Sequence, residues 1–202
     1  MPIGSVIVLP GVSQSIATLT VAFLYYTIDF IFTNHYDKQR RATGSARSWN
    51  YTFFCLMMIT ILVMQPIFLP AIGIQIKGTW GLLLEATGIL MIITSLALYI
   101  WCRAHLQHFY AERIEVQPEH RIIDSGPYSF MRHPIFTSFF GIATGLFLVN
   151  PALTTLMLLC YAIWDFTHAA QQEEDLLSKT IPQYAQYANR TPRFLPNIWK
   201  RQ

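Results

Sequence analysis

Residues 80–101 read WGLLLEATGILMIITSLALYIW, an almost wholly apolar stretch of 22 residues with a tryptophan at each end. An α-helix rises by about 1.5 Å per residue, so this stretch is long enough to cross a hydrocarbon layer of roughly 30 Å. Tryptophan rings suit the headgroup level, where one part of the ring is wet. The stretch predicts a transmembrane helix.

Four other stretches have the same apolar character, and they cover residues 12–33, 51–72, 135–149 and 151–166. Asn150-Pro151 separates the last two, which predicts a short helical hairpin, because proline begins a helix well and continues one badly. We therefore predict an all-α integral membrane bundle of about five transmembrane helices, forming one membrane domain over residues 1–202. A cleaved signal peptide is not expected, because no Lys or Arg precedes the first stretch.

The composition supports a membrane protein. The chain is 53% hydrophobic and 12% charged, with a mean hydropathy of +0.36, whereas an average soluble chain is about 25% charged. This excludes a disordered chain. The net charge of +3 is small for a nucleic-acid-binding protein, so we expect no nucleic-acid partner. The three cysteines have no framework spacing and predict no disulfide scaffold.

The basic residues predict the orientation. With five crossings, thirteen of the fourteen Lys and Arg residues fall on one side of the membrane, and only Lys77 falls on the other. The positive-inside rule makes the basic side cytoplasmic and places the N-terminus outside. The two polar segments, residues 102–134 and 167–202, are then cytoplasmic, and we expect the chemistry there.

The polar connector contains a turn followed by a basic pair. Gly126-Pro127-Tyr128 is a turn sequence, and Arg132-His133-Pro134 begins the fourth span. A helix start with two adjacent donors favours an anionic ligand group such as a carboxylate or phosphate. A basic anchor for lipid headgroups is an equally good interpretation from the residues alone.

Histidines in the same connector offer a metal site as a second interpretation. His105 and His108 are three residues apart and would share one face of a helix. The six histidines of the chain are few for a membrane di-iron enzyme. We predict no metal site and interpret the pair as interfacial polar residues.

Acidic residues follow the fifth span as Glu173-Glu174-Asp175. Three adjacent carboxylates require a cationic partner or hydration. A ligand ammonium or Arg132 can be that partner, and solvent can hydrate the carboxylates. Asp29 lies inside the first span, where a charge marks a functional site or a pair between helices. Apolar residues of the tail predict an amphipathic C-terminal helix that lies on the membrane or folds over the connector; they are Leu176, Leu177, Ile181, Tyr184 and Tyr187.

Glycines in the fourth span predict close helix packing. Gly141 and Gly145 have the Gly-x-x-x-Gly spacing that lets two helix backbones approach each other. Packing is the expected role of this pair, rather than contact with a ligand.

Several motifs of the C-terminal half, taken in order, resemble the isoprenylcysteine carboxyl methyltransferase family and the related phospholipid N-methyltransferases. The motifs are His120-Arg-Ile-Ile123, Gly126-Pro-Tyr128, Arg132-His-Pro134, the hairpin, Glu173-Glu174-x-x-Leu177, Tyr184, Tyr187, Pro192-Arg193 and Pro196. The resemblance implies an integral membrane methyltransferase that uses S-adenosylmethionine and a lipophilic acceptor from the bilayer. The glycine-rich loop of a soluble dinucleotide-type cofactor site is absent from the sequence.

The resemblance also implies the site residues. Arg132 would orient or neutralise the acceptor, supported by Glu173 or Glu174. The cofactor contacts would be His120, Arg121, Ile122, Ile123, Tyr128, His133, Pro134, Ile135, Phe136 and Glu173. The carboxylate of the cofactor would meet His133 and helix-start amides, and its ammonium would meet Glu173.

The methyl acceptor stays open. Eukaryotic prenylcysteine enzymes have an arginine one turn before the first glutamate, where this chain has Ala169. A phospholipid, an isoprenoid acid and a small thiol are alternative acceptors. An NADPH-dependent isoprenoid or sterol reductase and a non-catalytic membrane assembly factor are alternative functions, although an acidic pair would repel the phosphates of NADPH.

Overall fold

A computed structural model describes residues 11–36, 49–74, 76, 78–107 and 122–195 of the chain. Six α-helices form in these residues. They are α1 (Gly11–Tyr36), α2 (Trp49–Phe68), α3 (Thr79–Leu106), α4 (Pro134–Val149), α5 (Leu153–Thr180) and α6 (Tyr184–Arg190). Short 3-10 turns form at Pro70–Ile72 and Gly126–Ser129. The all-α prediction is confirmed.

Helix α5 is much longer than the apolar stretch that predicted it. The apolar residues end at Phe166, but the helix continues to Thr180 and carries both glutamates of the acidic pair. The predicted tail helix is therefore divided in two. The division falls at Ile181, immediately before Pro182, because the residue before a proline is disfavoured in helical conformation. Ile181 is extended, and α6 begins at Tyr184.

The closest packing in the bundle joins α3 and α4 through glycines. A Cβ atom added to Gly145 would stand 2.7 Å from the carbonyl oxygen of Gly88 and 2.6 Å from Ile92, so neither backbone has room for a side chain there. A Cβ atom added to Gly141 would overlap Ser95 of α3. The prediction that this glycine pair serves packing is confirmed.

Asp29 is paired between helices. Its Oδ1 atom accepts a hydrogen bond of 2.7 Å from the Tyr99 hydroxyl and lies 3.8 Å from Nη2 of Arg103, both on α3. Arg103 is 1% exposed, and its guanidinium also donates to Thr33. A buried charge is tolerated when it is paired and hydrogen-bonded, so this cluster ties α1 to the end of α3.

The surface of the bundle is strongly apolar. Large side chains such as Phe23, Phe68, Trp80 and Trp164 are each at least 65% exposed. Two helical segments, Gln14–Tyr36 and Thr79–Leu106, are long and apolar enough to span a bilayer, and Phe53–Phe68 and Pro134–Val149 are shorter apolar segments. An exposed apolar belt of this extent suits lipid rather than water, and the chain is a membrane protein.

Candidate functional site

The motif residues meet at one end of the bundle, where α4 begins. Pro134 is the first residue of α4 and His133 is its N-cap, as the Arg132-His133-Pro134 sequence predicts. The preceding turn depends on Gly126, which has a φ of +58° and packs directly against the imidazole of His105 at the end of α3. This contact fixes the connector against the bundle.

Both glutamates of the acidic pair reach His133. Glu174 Oε1 lies 2.9 Å from Nε2 of the ring, and Glu173 Oε2 lies 3.4 Å from Nδ1. Burial disfavours the charged imidazole, but the hydrogen bonds to Glu173 and Glu174 outweigh it and raise the pKa of His133. His133 therefore lies between two carboxylates, one at each ring nitrogen.

Glu174 is the centre of an ion-pair cluster. Arg193 donates to it through two bonds, from Nε to Oε1 at 3.0 Å and from Nη2 to Oε2 at 2.7 Å, which is the bidentate arrangement. Nη2 of Arg132 lies 3.4 Å from Oε1 of the same carboxylate. Burial acts to raise the pKa of Glu174, but the His133 and Arg193 hydrogen bonds and the charge of Arg132 lower it to about 2.

The tail folds back over the start of α4. The backbone N–H groups of Arg132 and His133 donate to the carbonyl oxygens of Pro192 (2.9 Å) and Arg193 (3.0 Å). The Thr137 hydroxyl donates to the carbonyl of Phe194 at 2.8 Å. The predicted fold-back over the connector is confirmed, and it occupies the two amides immediately before the helix.

Aromatic rings form one wall of this cluster. Phe136 stacks on the imidazole of His133 with ring centroids 5.4 Å apart and an interplanar angle of 5°. On its other side Phe136 stacks on Phe166 of α5 at 5.2 Å. Phe194 of the tail lies 6.0 Å from His133 and 5.2 Å from Phe140. The charged cluster therefore borders directly on the apolar interior of the bundle.

Other predicted site residues lie around this cluster. Tyr128 is buried with Ile135 in a core that includes Tyr99, and Ile123 packs against it. Ile122 packs instead against the buried Tyr184 and Tyr187 of the tail. The Tyr187 hydroxyl donates to the carbonyl of Tyr128 at 2.7 Å and so joins the two groups. His120 and Arg121 lie outside the described residues.

The two adjacent glutamates have different surroundings. The side chain of Glu174 is 10% exposed and has several cationic partners, whereas that of Glu173 is 40% exposed and contacts His133 alone among the ion pairs of the described residues. Arg132 also has donor capacity left. Within the described residues its buried Nε has no hydrogen-bond partner, and its Nη1 reaches only the Ala188 carbonyl, at 3.4 Å.

Arg193 is the site residue to which sequence reasoning assigned no role. It belongs to the Pro192-Arg193 motif. The signal that could have identified it is its positive charge in the tail that follows the acidic pair, because a buried carboxylate requires a cationic partner. As to metals, the described residues contain no group of three or more His, Cys, Asp or Glu side chains placed to hold an ion.

Comparison with known proteins supports the resemblance inferred from the motifs. The model of the isoprenylcysteine carboxyl methyltransferase (ICMT) family matches residues 88–179. These residues include the start of α4 and the acidic pair of α5. The resemblance to this family is confirmed.

Two curated relatives have names that refer to metal resistance. The cobalt-zinc-cadmium resistance protein CzcN of Cupriavidus metallidurans is 29% identical over 124 residues, which are 60% of this chain and 53% of that protein. The nickel-cobalt-cadmium resistance protein NccN of Alcaligenes xylosoxydans xylosoxydans is 29% identical over 126 residues, 61% of this chain and 55% of that protein. The chain thus matches about half the length of these relatives.

A solved structure shares the fold. The eukaryotic intramembrane Ras methyltransferase ICMT superposes with a TM-score of 0.68 at 20% sequence identity, over 96% of this chain and 70% of that one. At this identity the likeness shows the fold alone. The bundle is therefore an ICMT-like, all-helical membrane fold.

Proposed function

We propose that the chain is a membrane-embedded methyltransferase that uses S-adenosylmethionine and acts on a lipophilic acceptor. One observation carries the proposal: Arg132, His133 and Glu173, drawn from distant parts of the sequence, meet at the start of α4 within the region that matches the ICMT family. The cluster contains a cation, Arg132, and a half-exposed carboxylate, Glu173, joined through Glu174 and His133, which suits an amino acid group with its carboxylate and ammonium.

We further propose five membrane crossings, with the N-terminus outside and the site on the cytoplasmic side. Thirteen of the fourteen basic residues then lie on the cytoplasmic side, as the positive-inside rule requires. The donor enters from the cytoplasm, where it is soluble. The acceptor enters from the bilayer, because the charged cluster borders on the aromatic rings of Phe136 and Phe166.

The residues present fit the proposed cofactor. S-adenosylmethionine supplies a methyl group bound to a positively charged sulfur. Glu173 is the exposed carboxylate available for its ammonium, and Arg132 has an unused buried donor for an anionic group. The ring of Tyr128 is proposed to attract the sulfonium. Phe136 holds the imidazole of His133 in place, because His133 and Phe166 cover its two faces. Ile122, Ile123, Pro134 and Ile135 complete the proposed contacts, together with His120 and Arg121.

Catalysis in this proposal is mainly positioning. Methyl transfer requires nucleophile, carbon and sulfur in line, so holding the two substrates and excluding water account for most of the rate. Arg132 orients an anionic ligand group, Glu173 binds a cationic one, and Glu174 supports both through His133 and Arg132. A phospholipid amine or a small thiol is an alternative acceptor at the same site.

Titration with S-adenosylhomocysteine by calorimetry, on protein in mild detergent, tests the proposal. We expect micromolar binding by the wild type and a loss of about tenfold to a hundredfold in Glu173→Ala and His133→Ala, because each removes a charged hydrogen-bonding group. Asp175→Ala is the matched control, since Asp175 is the exposed third acid of the same run and has no ion pair in the described residues. Absence of binding by folded wild type refutes the methyltransferase proposal.

A further inference from the structure

Two arginines converge on one carboxylate, and they hold it very differently. Arg193 binds Glu174 through two short bonds of 3.0 and 2.7 Å, whereas the nearest contact of Arg132 to Glu174 is 3.4 Å. A planar guanidinium gains most from the bidentate arrangement, so Arg193 is the principal partner of this carboxylate. Arg132 is left with weak contacts.

The charges of the cluster agree with the assignment of Arg193 as the principal partner of Glu174. Arg132 and Arg193 balance the two carboxylates, and His133 lies between those carboxylates as a further donor. The side chain of Arg132 is 14% exposed, and its buried Nε has no hydrogen-bond partner within the described residues. A buried donor without an acceptor costs free energy, which a bound anion would recover.

Glu173 defines which anion fits. Its carboxylate contacts His133 at 3.4 Å and is 40% exposed, and the same His133 contacts Glu174 beside Arg132. Glu173 and Glu174 therefore flank one imidazole, and Arg132 contacts the Glu174 side. An α-amino acid has both a carboxylate and an ammonium, and this cluster contains a cation and an available carboxylate that could receive them.

Resting on the proposed function, we propose that Arg193 is a positioning residue: by neutralising Glu174, it keeps Arg132 available for the α-carboxylate of the methyl donor. Glu174 itself does not contact ligand in this arrangement. Without Arg193, the only arginine left near Glu174 among the described residues is Arg132, which would then close onto it. The donor site would lose its cation although Arg132 is still present.

The test is a double-mutant cycle with two ligands, measured by calorimetry in mild detergent. S-adenosylhomocysteine has the α-carboxylate, and 5′-methylthioadenosine lacks the amino acid end. We expect Arg193→Gln to weaken S-adenosylhomocysteine about tenfold or more. Glu174→Gln also removes the charged partner of His133, so we expect it to weaken binding by a smaller factor. The double variant Arg193→Gln/Glu174→Gln should bind as Glu174→Gln does, and more tightly than Arg193→Gln, because Arg132 is free again.

Three controls distinguish the positioning role of Arg193 from a general distortion of the ligand site. Binding of 5′-methylthioadenosine should be the same in all variants, since a distorted site would weaken both ligands. Arg193→Lys should recover part of the affinity, because it keeps the charge but not the bidentate bonds. Arg190→Gln is the matched control: Arg190 is a tail arginine that pairs with Asp124 and is 63% exposed.

Three results would overturn the proposal. If the double variant binds as weakly as Arg193→Gln, then Arg193 contacts the ligand itself. If Glu174→Gln weakens S-adenosylhomocysteine more than Arg193→Gln does, then Glu174 contacts the ligand. If no variant changes the affinity for S-adenosylhomocysteine, Arg132 does not bind its carboxylate. A wild type that binds no S-adenosylhomocysteine refutes the proposed function instead, so the two failures are distinct.

Discussion

Replacing Gly126 by alanine should be one of the most damaging single-methyl changes in the chain. Gly126 has a φ of +58°, which L side chains rarely adopt, and its missing Cβ would overlap three atoms of the His105 imidazole. Gly78 is the matched control, because its φ is +76° and nothing lies within 4 Å of its missing Cβ. Both glycines have a backbone cost from positive φ, which for Gly78 lies in a region that is essentially restricted to glycine. Of the two, Gly126 adds a steric cost.

The magnitudes follow from these two terms. An alanine at positive φ costs about 1–3 kcal/mol, and overpacking adds about 1–3 kcal/mol. His105 is half-buried and its ring lies 6.0 Å from that of Trp101, so its imidazole would have to turn to admit the added methyl group. We therefore expect Gly78→Ala to lose about 2 kcal/mol and Gly126→Ala about 4 kcal/mol, or apparent Tm decreases of about 4–8 °C and 8–16 °C.

The assay is thermal unfolding in one detergent, with S-adenosylhomocysteine binding measured on the same samples. Adding His105→Ala to Gly126→Ala should return the apparent Tm to near that of Gly78→Ala, because the overlap is removed and the φ cost stays. The reasoning is refuted if Gly126→Ala is as stable as Gly78→Ala, or if the second substitution recovers nothing.

Three further predictions use the same thermal assay. Gly145→Ala should lower the apparent Tm by separating α3 from α4, since the added Cβ would stand 2.7 Å from a backbone carbonyl; an unchanged Tm would contradict this packing. Asp29→Asn should cost about 3–5 kcal/mol, because it leaves Arg103 buried without its carboxylate, and a loss below 1 kcal/mol would show that other partners suffice. The pH dependence of the stability should reflect both Glu174 and His133. Glu174 has a lowered pKa of about 2, so its contribution of about 3 kcal/mol is present above about pH 4.5 and is lost as the pH falls toward 2. His133 has a raised pKa, so its contribution is present below about pH 6.5 and is lost as the pH rises through that raised value. Glu174→Gln should remove the acidic side of the profile and weaken the other, and His133→Gln should do the reverse, because each group shifts the pKa of its partner.

Hydropathy predicted where the chain meets lipid, but it did not predict where helices end. The stretch at residues 151–166 predicts a short helix, and α5 continues for fourteen more residues to Thr180. Hydropathy measures the preference for a hydrocarbon layer, whereas a helix continues wherever no residue breaks it. Gln171, Gln172 and the two glutamates are good helix formers, and the break comes only before Pro182.

The motifs predicted which residues meet, because the residues of each motif also determine a local structure, such as a turn or the start of a helix. Pro134 begins α4 and Gly126 makes the turn, so the Arg132-His133 pair could be placed at a helix start from sequence alone. The partners of that pair could not be assigned in the same way. Arg193 is separated from Glu174 by the end of α5, a bend and α6, and no local pattern encodes that contact.

The different surroundings of Glu173 and Glu174 follow from helix geometry. Neighbouring residues on an α-helix point about 100° apart, so Glu173 and Glu174 reach the two ring nitrogens of His133 from different directions. Within the described residues, it is Glu174 that also meets Arg132 and Arg193. Glu174 is consequently 10% exposed and neutralised, and Glu173 is 40% exposed and has one partner. The sequence shows two identical acids side by side, and their roles differ only because α5 extends past the apolar stretch as one helix. A break between Phe166 and Glu173 would release this orientation, so Ala170→Pro should abolish S-adenosylhomocysteine binding even if the membrane-embedded part stays folded. Ala170 is fully buried, and Gln171→Ala, at an exposed position beside it, should leave binding unchanged.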